Sequence, residues 1–486
     1  MQITTRSAFV EYAKTHNRYL VQGVWDCDLF TPVLLAKILE SPFLFESVEK
    51  RGKWSRYTFM GIEANSEIQV RQGTLYVDGV ARTQKPLDYL DSIFQNRGYG
   101  KDPQLPDFSG GYVGHISYDA ARFFEKLPRH RDDQLGLPEI HLFEFHKLLV
   151  IDNWDGMLRF LFTLQDESEY DAAFAQLTAI GHKLRTARVE YCVPRRTPLR
   201  IEQQFPRDQY EASVEAIQKE IFAGEIIQAV LSQRIIAHGD VDPFTLYRAL
   251  RRINPSPYTF YLDFGSYRLV GASPEMHLKV KDDTAYLRPI AGTRRIAPTP
   301  EQNQLLEKDL KGDPKEISEH VMLVDLARND LGRFCQTGSV KVTELMIVEH
   351  YSHVMHMVSN VVGTVDAKQG KGLLSMLGDT FPAGTVSGAP KIRAMEIIAE
   401  HESIARNVYS GVVGYFDYNG NMDTAIAIRT MIHTDDQRVI VQAGAGIVAE
   451  SEPDKEYEEC HNKAAALLKA IEAAVEMEDI HVTYDR

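Results

Sequence analysis

The β-rich runs of this chain tend to be followed by tight turns, such as Asp263-Phe264-Gly265 after Tyr258 to Leu262 and Tyr418-Asn419-Gly420 further on. Connections that short favour antiparallel pairing of neighbouring strands. Runs of this kind at Glu67 to Val70, Thr74 to Val77, Leu148 to Ile151, Leu158 to Phe162 and Arg268 to Val270 alternate with helical stretches, including one through Ala223. The reading is therefore α+β rather than a doubly wound parallel sheet.

At 486 residues the chain exceeds what one ordinary core supports. The Pro- and Arg-rich, aperiodic segment Cys192 to Arg200 suits a linker, so a boundary is placed there. Hydrophobic residues at 44% and charged residues at 25% are an ordinary globular balance. A net charge of -14 leaves no basic stripe to replace phosphate counterions, which argues against nucleic-acid binding. Cys27, Cys192, Cys335 and Cys460 are far apart and form no C-x-x-C, so neither a zinc site nor a disulfide framework is expected. The first residues hold no apolar signal core, and no segment approaches the ~20 apolar residues of a membrane span. The expectation is a cytoplasmic protein with reduced thiols and no membrane partner.

Two pairs of glutamates, Glu316 with Glu319 and Glu456 with Glu459, sit three residues apart in segments that read as helix. Carboxylates at i and i+3 share a helix face, so two such helices could offer four oxygen ligands to a hard cation such as Mg²⁺. Asp313-Pro314-Lys315-Glu316 is also a helix start, with Asp313 as N-cap, Pro314 at the first position and Glu316 closing a capping box. Glu319 is too deep to cap, and the apolar run Val321 to Leu326 after it suggests a largely buried helix. Around Glu456, Glu458 and Glu459 the alternative to a ligand role is the favourable placement of acids in a first helical turn. Ser451 and Pro453 mark the start of that helix, and Tyr457, Ala464, Leu467 and Ile471 line its apolar face. Before it, Ala443-Gly444-Ala445-Gly446 reads as a glycine loop whose backbone N–H groups could approach a carboxylate. The segment Phe381 to Lys391, FPAGTVSGAPK, resembles an oxyanion or phosphate cradle but lacks P-loop spacing.

Asn254-Pro255-Ser256-Pro257-Tyr258, Pro289 to Arg294 (PIAGTR), Glu319 to Asp330 (EHVMLVDLARND) and the FPAGTVSGAPK segment together resemble the chorismate-utilising enzymes, specifically anthranilate synthase component I. The resemblance is dense from Gln209 to Ile471 and thinner before it, where Leu44-Phe45-Glu46-Ser47 and Arg56 to Gly61 carry it. It implies largely antiparallel sheets packed as a sandwich with helices outside, an N-terminal regulatory region over 1–195 and a chorismate-binding catalytic region over 205–475. By resemblance, Glu319 and Glu459 ligate Mg²⁺ directly, with Glu316 and Glu456 acting through water. Arg429 matches the arginine that grips the enolpyruvyl carboxylate, assisted by Tyr409, and Lys463 a substrate-binding lysine. Gly444 and Gly446 would add backbone donors, and Gly292, Thr293 and Thr385 line the site. Glu275 matches the general acid for the departing C4 hydroxyl and His356 the base that takes the C2 proton, whereas His350 and His353 lie nearby and do not match that position.

Two positions discriminate within the family. Ala291 stands where aminodeoxychorismate synthases typically carry an adduct-forming lysine, and Gln228 where isochorismate and salicylate synthases carry a lysine that activates water. The resemblance thus implies conversion of chorismate and ammonia to anthranilate and pyruvate in tryptophan biosynthesis. The alternatives are aminodeoxychorismate synthase component I, of folate synthesis, an enzyme that stops at aminodeoxyisochorismate, and a non-catalytic tryptophan- or partner-binding subunit. No G-x-C-x-G segment surrounds any cysteine, so ammonia would come from a separate glutamine amidotransferase subunit, anthranilate synthase component II, or from solution. Phe45, Ser47, Pro257, Tyr258, Thr259, Val413 and Tyr415 match positions that bind tryptophan as feedback inhibitor at the domain interface. Phe45 and Thr259 depart from the commonest family residues, Leu and Met.

Overall fold

The computed structural model describes residues 1–48, 56–128, 132–193, 198–350 and 354–484. Residues 194–197 of the expected linker and His353 lie outside them. Every strand pairing among the described residues is antiparallel, and the strands build two large sheets and a small two-stranded one. The tight turns behave as expected: Gly265 and Gly420 adopt φ of +77° and +80°, which L side chains rarely do. Asp263 Oδ1 accepts from Gly265 N at 2.9 Å and Asp417 Oδ1 from Asn419 N at 2.7 Å, so each turn is closed by its own acidic side chain.

In the first sheet, Tyr19–Asp26, Met157–Leu164, Lys147–Asp152, Tyr57–Glu63 and Phe43–Glu46 lie side by side. They continue into Tyr258–Asp263, Tyr267–Ser273, Thr430–Thr434, Arg438–Ile447 and Gln228–His238. In the second, Val354–Thr364, Thr284–Leu287, Met276–Lys281, Met422–Ile426 and Val412–Asp417 continue into Gly111–Ile116, Ile140–Phe145 and Ser66–Arg71. Each sheet therefore joins an N-terminal to a C-terminal part along one seam, Phe45 opposite Phe260 in the first and His115 opposite Val413 in the second.

The sheets face each other and helices cover their outer faces. Along Lys147–Asp152 the side chains alternate: Leu148 and Val150 enter the core between the sheets, while Leu149 and Ile151 pack under helices. A strand buried on both faces reads as a continuous apolar run even though its pairing is antiparallel. Phe43 and Phe145 meet edge to face at 4.8 Å in the inter-sheet core, where truncation of either to Ala costs about 3–5 kcal/mol. The four cysteines are free thiols. No helix among the described residues is long and apolar enough to cross a membrane.

Candidate active site

The helix Pro314–Gly332 begins as its sequence suggests. Asp313 Oδ1 accepts from Lys315 N at 3.0 Å and Glu316 N at 3.4 Å, and Pro314 takes the first turn, where its missing N–H costs nothing. Glu316 does not close the box; its carboxylate goes to Arg294 Nη1 at 2.9 Å. Arg294 also binds Asp309 at 2.7 Å and Asp313 at 2.9 Å, and a guanidinium serving three carboxylates outcompetes one backbone N–H. Nor is the helix largely buried: Leu323, Val324, Ala327 and Leu331 form its covered face, while Val321 is 45% exposed. The helix Pro453–Glu476 buries Tyr457, Ala464, Leu467 and Ile471 and carries Glu456 and Glu459 in its opening turns.

Between these helices and one end of the sandwich lies a cavity of about 540 Å³. It opens where the strands Thr430–Thr434 and Arg438–Ile447 part: their pairing ends at Met431 with Val441, while Gln442 to Ile447 stay paired to Gln228–His238. The segment Ala443 to Gly446 is therefore strand, not loop. Its glycines make room: a Cβ on Gly444 would stand 2.8 Å from Tyr409 Oη and one on Gly446 2.7 Å from Gln228 Nε2. Small residues in a strand mark such close approach as readily as a turn.

The cavity is lined by Glu275, His356, Gln228, Ala291, Thr293, Thr385, Tyr409, Arg429, Gly444, Gly446, Lys463, Glu319, Glu456 and Glu459. Gly292 and Glu316 stand just outside the lining. Gly292 offers its carbonyl to His356, and a Cβ there would press on Glu316 Oε2 at 3.0 Å. Lys315, Gln442 and Glu450 line the cavity without having been singled out from the sequence. A signal existed for Gln442, a polar residue ending the apolar run Val439 to Val441 just before the glycines.

Glu275 sits in the connection between Tyr267–Ser273 and Met276–Lys281, where the chain passes from the first sheet to the second. Burial pushes its carboxyl up to about 7, against the opposing pull of Thr385, whose Oγ1 donates to Glu275 Oε1 at 2.8 Å, and of the Lys463 charge. A carboxyl so placed can hold a proton near neutral pH. His356 is on Val354–Thr364, with Nδ1 3.3 Å from Gly292 O and 2.9 Å from Thr293 Oγ1. Donation of Nδ1–H to the carbonyl puts the basic lone pair on Nε2. Burial, aided by Arg429, holds this imidazole below its ordinary pKa, so it is neutral and able to take a proton.

Arg429 lies in another passage between the sheets, from Met422–Ile426 to Thr430–Thr434, and has a left-handed φ of +51°, a strained conformation of the sort that collects at functional sites. Its Nη1 donates to Lys463 O at 2.7 Å. Lys463 Nζ donates to Gly444 O at 2.9 Å and pairs with Glu459 Oε1 at 2.7 Å. Burial, with the neighbouring carboxylates Glu316 and Glu459 adding to it, raises the pKa of Glu319; burial, with Glu459 adding to it, raises that of Glu456. A bound dication would offset that repulsion, and carboxylate oxygens are the donors a hard cation takes. Among the described residues no group of three or more His, Cys, Asp or Glu is arranged to hold a metal ion.

A second cavity, of about 510 Å³, lies between the sheets at their seams. Phe45, Ser47, Pro257, Tyr258, Thr259, Val413 and Tyr415 all line it. Tyr258 Oη donates to Asp423 Oδ1 at 3.0 Å, Tyr415 stacks on Phe108 at 4.5 Å, and Ser47 Oγ is buried with no hydrogen-bond partner among the described residues.

Residues 41–469 match the family described as chorismate binding enzyme. The chain is 41% identical to anthranilate synthase component 1 of Acetivibrio thermocellus, over 96% of this chain and 97% of the relative. With that of Thermus thermophilus it shares 44% identity over 92% of this chain and 96% of the relative. Its fold is similar to the crystal structure of anthranilate synthase component I from Streptococcus pneumoniae TIGR4, with a TM-score of 0.77 at 35% identity, covering 90% of this chain and 98% of that one. The chain belongs to the chorismate-binding enzyme family, in its anthranilate synthase component I branch.

Proposed function

We propose that this chain is the synthase subunit of an anthranilate synthase, converting chorismate and ammonia to anthranilate and pyruvate. The observation that carries the reading is one cavity in which a carboxyl with a pKa of about 7, Glu275, and a neutral imidazole, His356, accompany Arg429 and Lys463. Arg429 presents a planar fork to a substrate carboxylate, with Tyr409 beside it, and Lys463 adds a second cation. Glu275 gives its proton to the C4 hydroxyl as the C4–O bond breaks, the ring double bonds shift and ammonia forms the new bond at C2. Nε2 of His356 then takes the C2 proton, the ring carbon–oxygen bond to the enolpyruvyl group breaks, and the enolate of pyruvate leaves an aromatic ring and becomes pyruvate by taking up a proton at its methylene carbon.

Glu319 and Glu459, backed by Glu456 and Glu316, would hold Mg²⁺, which when bound supplies charge neutralisation for the ring carboxylate. Ala291 has no amine to form an adduct and Gln228 cannot deprotonate water, which supports ammonia as nucleophile and disfavours the aminodeoxychorismate and isochorismate chemistries. The component 1 designation of the relatives supports a separate amidotransferase subunit as the source of ammonia.

The inter-sheet cavity is the proposed site for tryptophan as feedback inhibitor. Two strands run from it to the catalytic cavity: Met276–Lys281, with Lys279 at one site and Glu275 just before its start, and Met422–Ile426, with Asp423 at one and Arg429 just beyond its end. A shift of the seams would move both groups, a physical route for coupling.

The division of labour is testable by trapping. His356→Ala should still consume chorismate and ammonia but accumulate aminodeoxyisochorismate with little pyruvate. Unimpaired pyruvate release would remove His356 from the second step.

A further inference from the structure

Behind the wall that carries Thr385 and Tyr409 lies an ion pair with no solvent contact of consequence: Arg406 is 0% and Glu402 5% exposed. Arg406 Nε donates to Glu402 Oε2 at 2.8 Å and Nη2 to Oε1 at 2.6 Å. The same guanidinium reaches Val386 O at 2.7 Å and Ser410 Oγ at 3.4 Å through Nη1, and Val230 O at 2.6 Å through Nη2. Five donors thus meet five acceptors, the full capacity of an arginine. Glu402 also accepts from Ser232 N and Oγ, both at 2.8 Å. The guanidinium lies 4.6 Å from the ring centre of Tyr118 and 5.6 Å from that of Tyr409.

Val230, Val386 and Tyr409 are all cavity-lining residues, and Val386 follows Thr385 in the short turn Gly384–Val386. Apart from the arginine, Val230 N donates to Ser387 O at 2.9 Å, and beyond the turn Gly388 and Ala389 pair with Ala229 and Gln228, with Ile227 N donating to Ala389 O at 2.7 Å; Val386 itself is held to the arginine through its carbonyl. A buried ion pair loses most of its Coulombic gain to desolvation, so its chief contribution here is geometric. We propose that Arg406 is a positioning residue for the acid: by tying the carbonyls of Val386 and Val230 to Glu402 it fixes the Thr385 hydroxyl on Glu275. The inference rests on the assignment of Glu275 as general acid.

The test is a double-mutant cycle on the holoenzyme, measuring kcat and chorismate KM with an ammonium salt. Arg406→Lys keeps the charge but has three donors on one nitrogen and cannot span both carbonyls. It should lower kcat at least tenfold and change KM less than about threefold. Thr385→Val should lower kcat by a similar factor, and the double variant should be no slower than the slower single within about threefold. Multiplying losses, or a near-normal kcat for Arg406→Lys, would overturn the inference. If Arg406→Lys does not fold, the neutral pair Arg406→Gln with Glu402→Gln leaves no lone buried charge and is held to the same outcomes. Glu275→Gln is assayed beside them: near-normal activity there would sink the acid assignment itself, whatever the cycle gives.

Discussion

Glu275 and Arg429 occupy two neighbouring passages among the several by which the chain moves between the sheets of the sandwich. Ile426 N donates to Glu275 O at 3.0 Å and Ala272 N to Arg429 O at 3.0 Å, so each passage is bonded to a strand end beside the other. A proposed acid and a proposed carboxylate anchor are thereby held by backbone rather than by flexible loop, as a preorganised site requires.

The first consequence concerns pH. Because burial raises the Glu275 pKa to about 7, its proton is retained below that value, and its contribution to stability is lost as pH rises through about 7. Wild-type kcat should fall on the alkaline side of this pKa, which entry of an anionic substrate moves further up. Glu275→Gln should lower kcat by about 10²–10⁴-fold. It should also stabilise the fold at pH 8.5 by up to about 3 kcal/mol, with no gain at pH 4. Urea melts of both proteins at the two pH values measure this; an equal effect at both would refute the burial assignment.

Glu459 shares its carboxylate with Lys463 at 2.7 Å. Glu459→Gln should weaken Mg²⁺ binding, read by titration calorimetry with the metal, and lower turnover at least a hundredfold. Unchanged metal affinity would remove Glu459 from the cation site.

Arg429→Lys keeps the charge but removes the planar fork, together with the Nη1 bond to Lys463 O. Chorismate KM should rise about tenfold or more, the equivalent of roughly 1.4 kcal/mol. A lysine variant with normal KM would show that no bidentate contact is made.

Among the described residues the buried hydroxyl of Ser47 has no hydrogen-bond partner. Ser47→Ala should therefore leave the melting temperature unchanged or slightly higher, since no hydrogen bond is lost. Tryptophan should inhibit the variant about tenfold more weakly; identical inhibition curves would place the inhibitor elsewhere.

What the sequence reveals here is what local chemistry decides. The Asp313 cap, the start at Pro453, the Asp263 and Asp417 turns and the apolar face of the last helix follow from neighbours in sequence, and the structure has them. The partner of Glu316 was hidden because Arg294 reaches it across a strand-to-helix contact with no sequence pattern of its own. Gly444 and Gly446 read as a loop because the atoms that exclude a Cβ, on Tyr409 and Gln228, are distant in the chain. Arg406 and Glu402 are four residues apart but follow a helix rather than lie within one, so helical periodicity gives no hint that they pair. The seams that join the two halves of each sheet are likewise pairings between strands 200 or more residues apart.

The central claim is the choice of nucleophile and product, and product analysis tests it most directly. Purified chain incubated with chorismate, Mg²⁺ and an ammonium salt at mildly alkaline pH should yield anthranilate and pyruvate in equal amounts. Isochorismate or 4-amino-4-deoxychorismate as the main product would contradict the account.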